Sequence, residues 1–422
     1  MSSTEDIRTA LDSDDLVFVE TLLRDKQSVG QLNLGWFGLA GPPLVIAQST
    51  AMVDTLLQYG ADVARVSEWW GSGRELGDVS LEVAAYLLRR GATVTACAAA
   101  GLGLTAELGT LLEQDPECVH SKGCDGARPI HFARNVETAQ LLMAHGAAVD
   151  VRDDDHHSTP TQWQVRDRPD VVATLLEAGA ELDIFVAVGL GDILLVQQAV
   201  ANTPECTGFR IGGMLGDYPG IGYKGKGGTI LQWTLAFNVS PQEIALQRGH
   251  QDIWDYLMDR TSVKPKLLIA CMVGDENLAR SILSTNPELI RQFDDDDSSL
   301  LARACWETNR NYEAVRIMLD LGFPVDIPEM NHGYTPLHNA AWDGNTDLVK
   351  LLIERGHPVN VPDPNYDSTP FGFCVHAAVE ARRASRDYAG VIDRLIQAGA
   401  EFDSEIFPTG HRAIDEVLER WV

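Results

Sequence analysis

The sequence predicts an all-α fold in which short helices come in pairs and the pairs stack side by side. Three observations carry this prediction. Gly333–Asn360 holds two helical patterns, each too short to bury an apolar face alone. Related segments recur through the chain, with glycine-terminated ends Gly146 and Gly179 lying 33 apart and Gly322 and Gly356 lying 34 apart. Hydrophobic residues make up 45% and charged residues 22%, the composition of a chain with a real core rather than a disordered one.

The clearest pair reads GYTPLHNAAWDGNTDLVKLLIERGHPVN, from Gly333 to Asn360. Thr335 is placed to cap the first helix, and Pro336 suits its first turn, where no amide partner is required. Leu337, Ala340 and Ala341 supply a small apolar face, and Gly344 ends the helix. Leu348, Leu351 and Leu352 then line the second helix, which stops at Gly356. Taken in chain order, the other pairs follow the same pattern. PPLVIA and LLQYGADV lie within Gly41–Val63. RPIHFA and LLMAHGAAVD lie within Gly126–Asp150, and STPTQW and LLEAGAELD within His157–Asp183. STPF and LIQAGAEF bracket Asp367–Phe402. Weaker copies begin near Val186, Leu268 and Ala302. The terminal PTGHRAIDEVLERWV reads as a closing helix that shields the last pair.

These segments resemble the ankyrin repeat, whose signature is T-P-L-H-x-A-A-x-x-G followed by L-L-x-x-G-A. The resemblance implies an ankyrin-repeat solenoid of about ten or eleven helix-pair units, with loops projecting from one edge and a concave groove on the side of the first helices. It also implies that His131 and His338, at the T-P-L-H histidine position, tie neighbouring repeats together through backbone contacts. Gln162 and Gln232 stand at the same position. The aromatic residues that follow, Phe132, Trp163, Trp233 and Phe373, are expected to form a packed column.

Departures from the pattern mark the organisation. His131 to Leu141 spans 10 positions where His338 to Leu351 spans 13, a loss of about one helical turn. About ten extra residues lie around Glu380–Tyr388. Pro204–Gly228 fits no repeat and is rich in glycine and aromatic residues. The predicted division is therefore an N-terminal repeat block at 1–203, an irregular insertion at 204–228 and a C-terminal block with its capping helix at 229–422.

Lys plus Arg number 33 and Asp plus Glu 61, leaving a formal charge of −28. A chain this acidic is repelled by phosphate backbones and anionic lipid, so neither nucleic acid nor a membrane surface is an expected partner. Seven scattered cysteines without a C-x-x-C pair predict reduced thiols in the cytoplasm, with no disulfide framework. The N-terminus is acidic and lacks the basic start of a secretory signal. The apolar window Val94–Leu112 contains Glu107 and reads as two short helices rather than a membrane span.

Several motifs invite chemistry. GIGYKGKG at 220–227 has the spacing of a phosphate-cradling loop, but no apolar strand precedes it, and Gly227 stands where a magnesium-binding hydroxyl is needed. Arg210, Lys224 and Lys226 remain as a basic pocket of sequence suited to an anionic ligand. The runs Asp153–His157 and Asp294–Asp297 are read as solvated turns, because adjacent loop residues point apart and no metal is expected. No Ser-His-Asp or Cys-His arrangement can be placed across distant segments, so no catalytic residue and no cofactor is assigned.

Aligning the repeats puts Met272, Trp306 and Trp342 at one register position, which in ankyrin repeats faces the groove. Loop tips supply Asp155, His156, Asn331, His332, Tyr334 and Tyr366 as further binding candidates, beside Cys124, Asp125 and Asn365. The leading expectation is a non-catalytic, monomeric recognition scaffold that holds a protein partner by its groove and loop tips. The rival is an enzyme or small-molecule binder whose pocket lies in the groove beneath 204–228. Carboxylates beside indole rings would suit a sugar-like or cationic ligand there.

Overall fold

A computed structural model describes residues 9–24, 32, 43–63, 80–92, 94–212, 229–306, 311–330, 332–381, 386–403 and 406–421. Among these every regular element is helical and no strand occurs. The chain divides into two compact units. One comprises Met1–Leu190 with Asp217–Leu235, the other Gly191–Gly216 with Ala236–Val422.

In the first unit, short first helices pack one on the next: Ala96–Leu102 on Pro129–Phe132, that on Pro160–Gln164, and that on Leu231–Thr234. The second helices Thr105–Gln114, Val136–Ala144 and Pro169–Glu177 form a parallel row behind them. The window 94–112 is thus two helices, as the sequence predicts. Among the described residues no helix is long and apolar enough to cross a membrane. Pro129–Phe132 has 4 residues where Pro336–Trp342 has 7, which accounts for the lost turn read from the spacing. Residues 229–234 join this unit through specific bonds. Ile230 N–H donates to Ser158 Oγ at 3.1 Å, and Thr234 Oγ1 donates to the Gln162 carbonyl at 3.0 Å.

The second unit repeats the arrangement with Pro241–Gln247/Gln251–Arg260, Val263–Met272/Glu276–Thr285, Leu300–Cys305/Tyr312–Asp320, Pro336–Trp342/Thr346–Glu354 and Pro370–His376/Tyr388–Gln397. Arg412–Leu418 closes the row on Tyr388–Gln397, burying Ile414 and Leu418. One contiguous apolar core runs from Leu267 to Leu418 and draws small residues such as Ala340 and Ala341 from the first helices and branched ones such as Leu348 and Leu352 from the second. Small side chains allow the first helices to approach closely, and the larger ones fill the space behind.

Helix starts are fixed locally. Thr335 Oγ1 accepts the His338 amide, Asn345 Oδ1 accepts the Leu348 amide at 3.0 Å, and Asp387 Oδ1 accepts the Gly390 amide at 2.9 Å. The sequence runs read as solvated turns do similar work. Asp294 caps the Asp295–Ser298 helix in a reciprocal box with Asp297. Asp153, 1% exposed, accepts the Ser158 amide at 2.9 Å and the Trp163 indole N–H at 3.0 Å.

The extra residues near Glu380–Tyr388 extend Pro370–His376 into a π-helical turn at Ala377–Ala381. Arg386 then reaches the fully buried Asp343 at 3.0 Å, which also accepts the Tyr312 hydroxyl. This close return requires Gly344: its φ is +60°, and a Cβ there would lie 2.8 Å from Arg386 Cβ.

Candidate binding face

The histidines of the T-P-L-H position are structural. Thr335 N–H donates to His338 Nδ1 at 3.3 Å, which leaves the proton on Nε2 to donate to the Ser368 carbonyl at 3.1 Å in the next repeat. His131 does the same between Arg128 N–H, at 2.9 Å, and the Ser158 carbonyl, at 3.2 Å. Burial pushes both imidazoles down to about 4, so each is neutral and fixed in one tautomer. Gln162 replaces histidine with the same logic: its Oε1 accepts Thr159 N–H at 3.0 Å, and its Nε2 donates to Asp183 at 3.0 Å.

Within the second unit, aromatic rings form a continuous strip. Phe237 meets Trp306 with ring centres 5.6 Å apart, and Trp306 meets His332 edge-on at 5.1 Å. His332 stacks on Tyr334 at 5.4 Å, and Tyr334 meets Phe373 at 4.9 Å. Phe373 in turn contacts Trp342 at 6.1 Å, and Trp342 stacks on His376 at 5.8 Å. His332 and His376 are exposed, and Phe237, Trp306, Tyr334 and Trp342 are half-buried. Tyr366, 74% exposed, and Met330, 42% exposed, stand on the neighbouring loop tips.

Two carboxylates hold the loop backbones that carry Tyr334 and Tyr366. Asp363 accepts amides from Asn365, Tyr366 and Ser368 at 2.9–3.0 Å. Burial opposes its charge, but those amides outweigh burial and hold it below the usual carboxylate range. Glu329 occupies the corresponding place one repeat earlier and accepts His332 N–H at 2.7 Å and Tyr334 N–H at 3.3 Å. Both side chains are almost fully buried, Glu329 at 1% and Asp363 at 2% exposure. Burial first, then the neighbouring Tyr366 phenol and the Asp363 and Glu329 carboxylates, raise the Tyr334 phenol.

The structure brings Trp306, Trp342, His332 and Tyr334 together, with Tyr366 alongside. Asn331 lies outside the described residues, though its neighbour His332 receives Asn365 Nδ2 on its carbonyl at 2.6 Å. Met272 is 7% exposed and packs into the core instead of standing on the face. Asp155 and His156 belong to the other unit. There His156 is 8% exposed, beside Trp163 and 3.7 Å from Asp155, while Asp155 is half-buried with its amide on the Asp125 carbonyl.

Two expectations are corrected. Arg210 is not an exposed cation awaiting an anion: its side chain is 9% exposed and paired with Glu243 at 2.6 Å, and it also donates to the Asn238 carbonyl. Lys224 and Lys226 lie outside the described residues, as does the 220–227 motif. The packed aromatic column is also incomplete. Phe132 and Trp163 meet at 5.5 Å, and Phe373 belongs to the strip, but Trp233 is 66% exposed. Phe237 and His376 were not singled out from sequence. The one available signal was their aromatic character next to helix ends, which does not reveal that they close the two ends of a ring series.

Residues 267–363 match the family model for ankyrin repeats, in 3 copies. The chain contains ankyrin repeats. The curated ankyrin repeat and SAM domain-containing protein 6 of Rattus norvegicus is 25% identical over 115 residues, which cover 25% of this chain. The chain spans 13% of that relative's length. The ankyrin segment 267–363 contains Trp306, His332, Tyr334 and Trp342, so most of the ring strip is built on it.

Proposed function

We propose that the protein is a non-catalytic recognition scaffold and that a protein partner binds along the ring strip of the second unit. The observation that carries this reading is the continuity of the strip from Phe237 to His376, with exposed members at His332 and His376 and the open Tyr366 beside it. Clustered exposed rings cost solubility unless they serve recognition, and aromatic anchors dominate interface energetics. Ankyrin repeats generally act as protein-interaction scaffolds, which supports the reading by analogy. Seven scattered cysteines, with Cys271, Cys305 and Cys374 all buried and their thiols pushed up by desolvation, suit a reducing compartment such as the cytoplasm.

The test is site-specific photocrosslinking in cells. A photoreactive residue replacing Tyr366 should capture discrete protein partners, whereas one replacing Val17, an exposed residue of the first unit, should not capture the same set. Adding Trp306→Ala and Trp342→Ala should remove the Tyr366 products. An unchanged product set in that variant would refute the assignment of the binding face.

A further inference from the structure

We infer that the partner segment seated on this face is a basic, extended polypeptide whose arginine or lysine side chains lie against the rings of Tyr334, Tyr366 and Trp342. The inference rests on the binding face proposed above and adds the chemistry of what occupies it.

Three features of the structure select a cation. Tyr366 is 74% exposed, and Tyr334 and Trp342 are half-buried with a histidine stacked on one face of each; aromatic faces attract guanidinium and ammonium groups electrostatically. The Glu329 carboxylate accepts the Tyr334 N–H and the Asp363 carboxylate accepts the Tyr366 N–H, and at 1% and 2% exposure both are weakly screened by water. Around all of this the chain carries a formal charge of −28, which attracts a basic segment over long range and repels an acidic one.

The length of the strip selects a polypeptide over a small cation. Six ring-to-ring steps of 4.9–6.1 Å join Phe237 to His376. That contour exceeds the reach of a single small cation and corresponds to at most roughly ten residues of extended chain at about 3.3 Å each. Arginine is favoured over lysine because its planar group stacks on an aromatic face and sheds water more readily.

The test uses the full chain and four fluorescein-labelled nonapeptides in which serine alternates with arginine, lysine, glutamine or glutamate, followed by fluorescence anisotropy at 150 mM salt. The arginine peptide is expected to bind at least tenfold more tightly than the glutamine peptide, with lysine between them and no binding of glutamate. Tyr366→Ala and His376→Ala, both at exposed positions, should each weaken the arginine peptide severalfold, and Trp342→Ala should weaken it further. Trp233→Ala, in the first unit, should leave it unchanged. Equal binding of the arginine and glutamine peptides would overturn the inference. So would arginine binding that is indifferent to Tyr366→Ala, His376→Ala and Trp342→Ala alike, since that is attraction to bulk charge. Photocrosslinks that map to Tyr366 but join it to a neutral or acidic segment would also overturn it while leaving the scaffold reading intact. Loss of the crosslinks from this face would remove both.

Discussion

Acidification should weaken the second unit through His338, and the size of the effect can be worked out from the burial of that ring. An unperturbed histidine titrates near 6.5 and His338 in the fold near 4, because burial disfavours the imidazolium. The folded chain therefore binds fewer protons than the unfolded chain between these values. The stability contributed by neutral His338 is fully present above about 6.5 and is lost as pH falls from there through 4. At pH 4.5 the loss is about 2.5 kcal/mol. His131 carries a similar loss in the first unit, where Asp183 acts in the opposite sense. Burial raises that carboxyl to about 6 from 3.8, so its cost is absent below 3.8 and grows as pH rises through 6. Between pH 7 and 4.5 the first unit thus recovers about 2 kcal/mol from Asp183 against the loss at His131, and the net change is small. Hydrogen exchange followed by mass spectrometry at pH 7 and 4.5, corrected for intrinsic rates, should show protection falling across Pro336–Glu354 and not across Pro160–Glu177. His338→Gln should reduce the difference to the part contributed by buried His357, whose imidazole is also lowered by burial, while keeping the fold, since Gln162 at the equivalent position makes a like pair of bonds, to the Thr159 amide and the Asp183 carboxylate. Equal acid loss in wild type and His338→Gln would refute the account.

Three further outcomes follow from the same geometry. Gly344→Ala should destabilise the second unit by about 2 kcal/mol or more, because φ of +60° is unfavourable for alanine and its Cβ would press on Arg386; a melting curve against wild type measures this. Asp363→Ala leaves the amides of Asn365, Tyr366 and Ser368 without their acceptor and should cost about 3 kcal/mol in denaturant unfolding, with loss of ordered Tyr334 fluorescence. Trp233→Ala should change stability by no more than about 0.5 kcal/mol, despite removing the largest side chain type, since that ring is 66% exposed.

Much of the repeat architecture was legible because it is written in local signals. Thr335, Asn345 and Gly344 sit at fixed offsets from their helices, and capping and left-handed turns depend on residues within a few positions of one another. The role of His338 was legible for a similar reason: its partners, Thr335 and the Ser368 carbonyl, recur at the repeat spacing. The candidate face was only partly legible. Register alignment put Met272, Trp306 and Trp342 at one groove-facing position; the two tryptophans meet rings of the strip, whereas Met272 is 7% exposed in the core.

The sequence alone determined that helices form, where they start and stop, and that they pair at a repeat of 33 or 34 residues, because each of these is decided by contacts within one repeat. Tertiary structure decided what crosses between repeats: that Arg210 is spent on Glu243, that Asp343 joins Tyr312 to Arg386, and that seven rings from Phe237 to His376 meet in one strip. Apart from His332 and Tyr334, those partners lie between 26 and 69 residues apart. Only the stacking of one helix pair on the next brings them within contact distance.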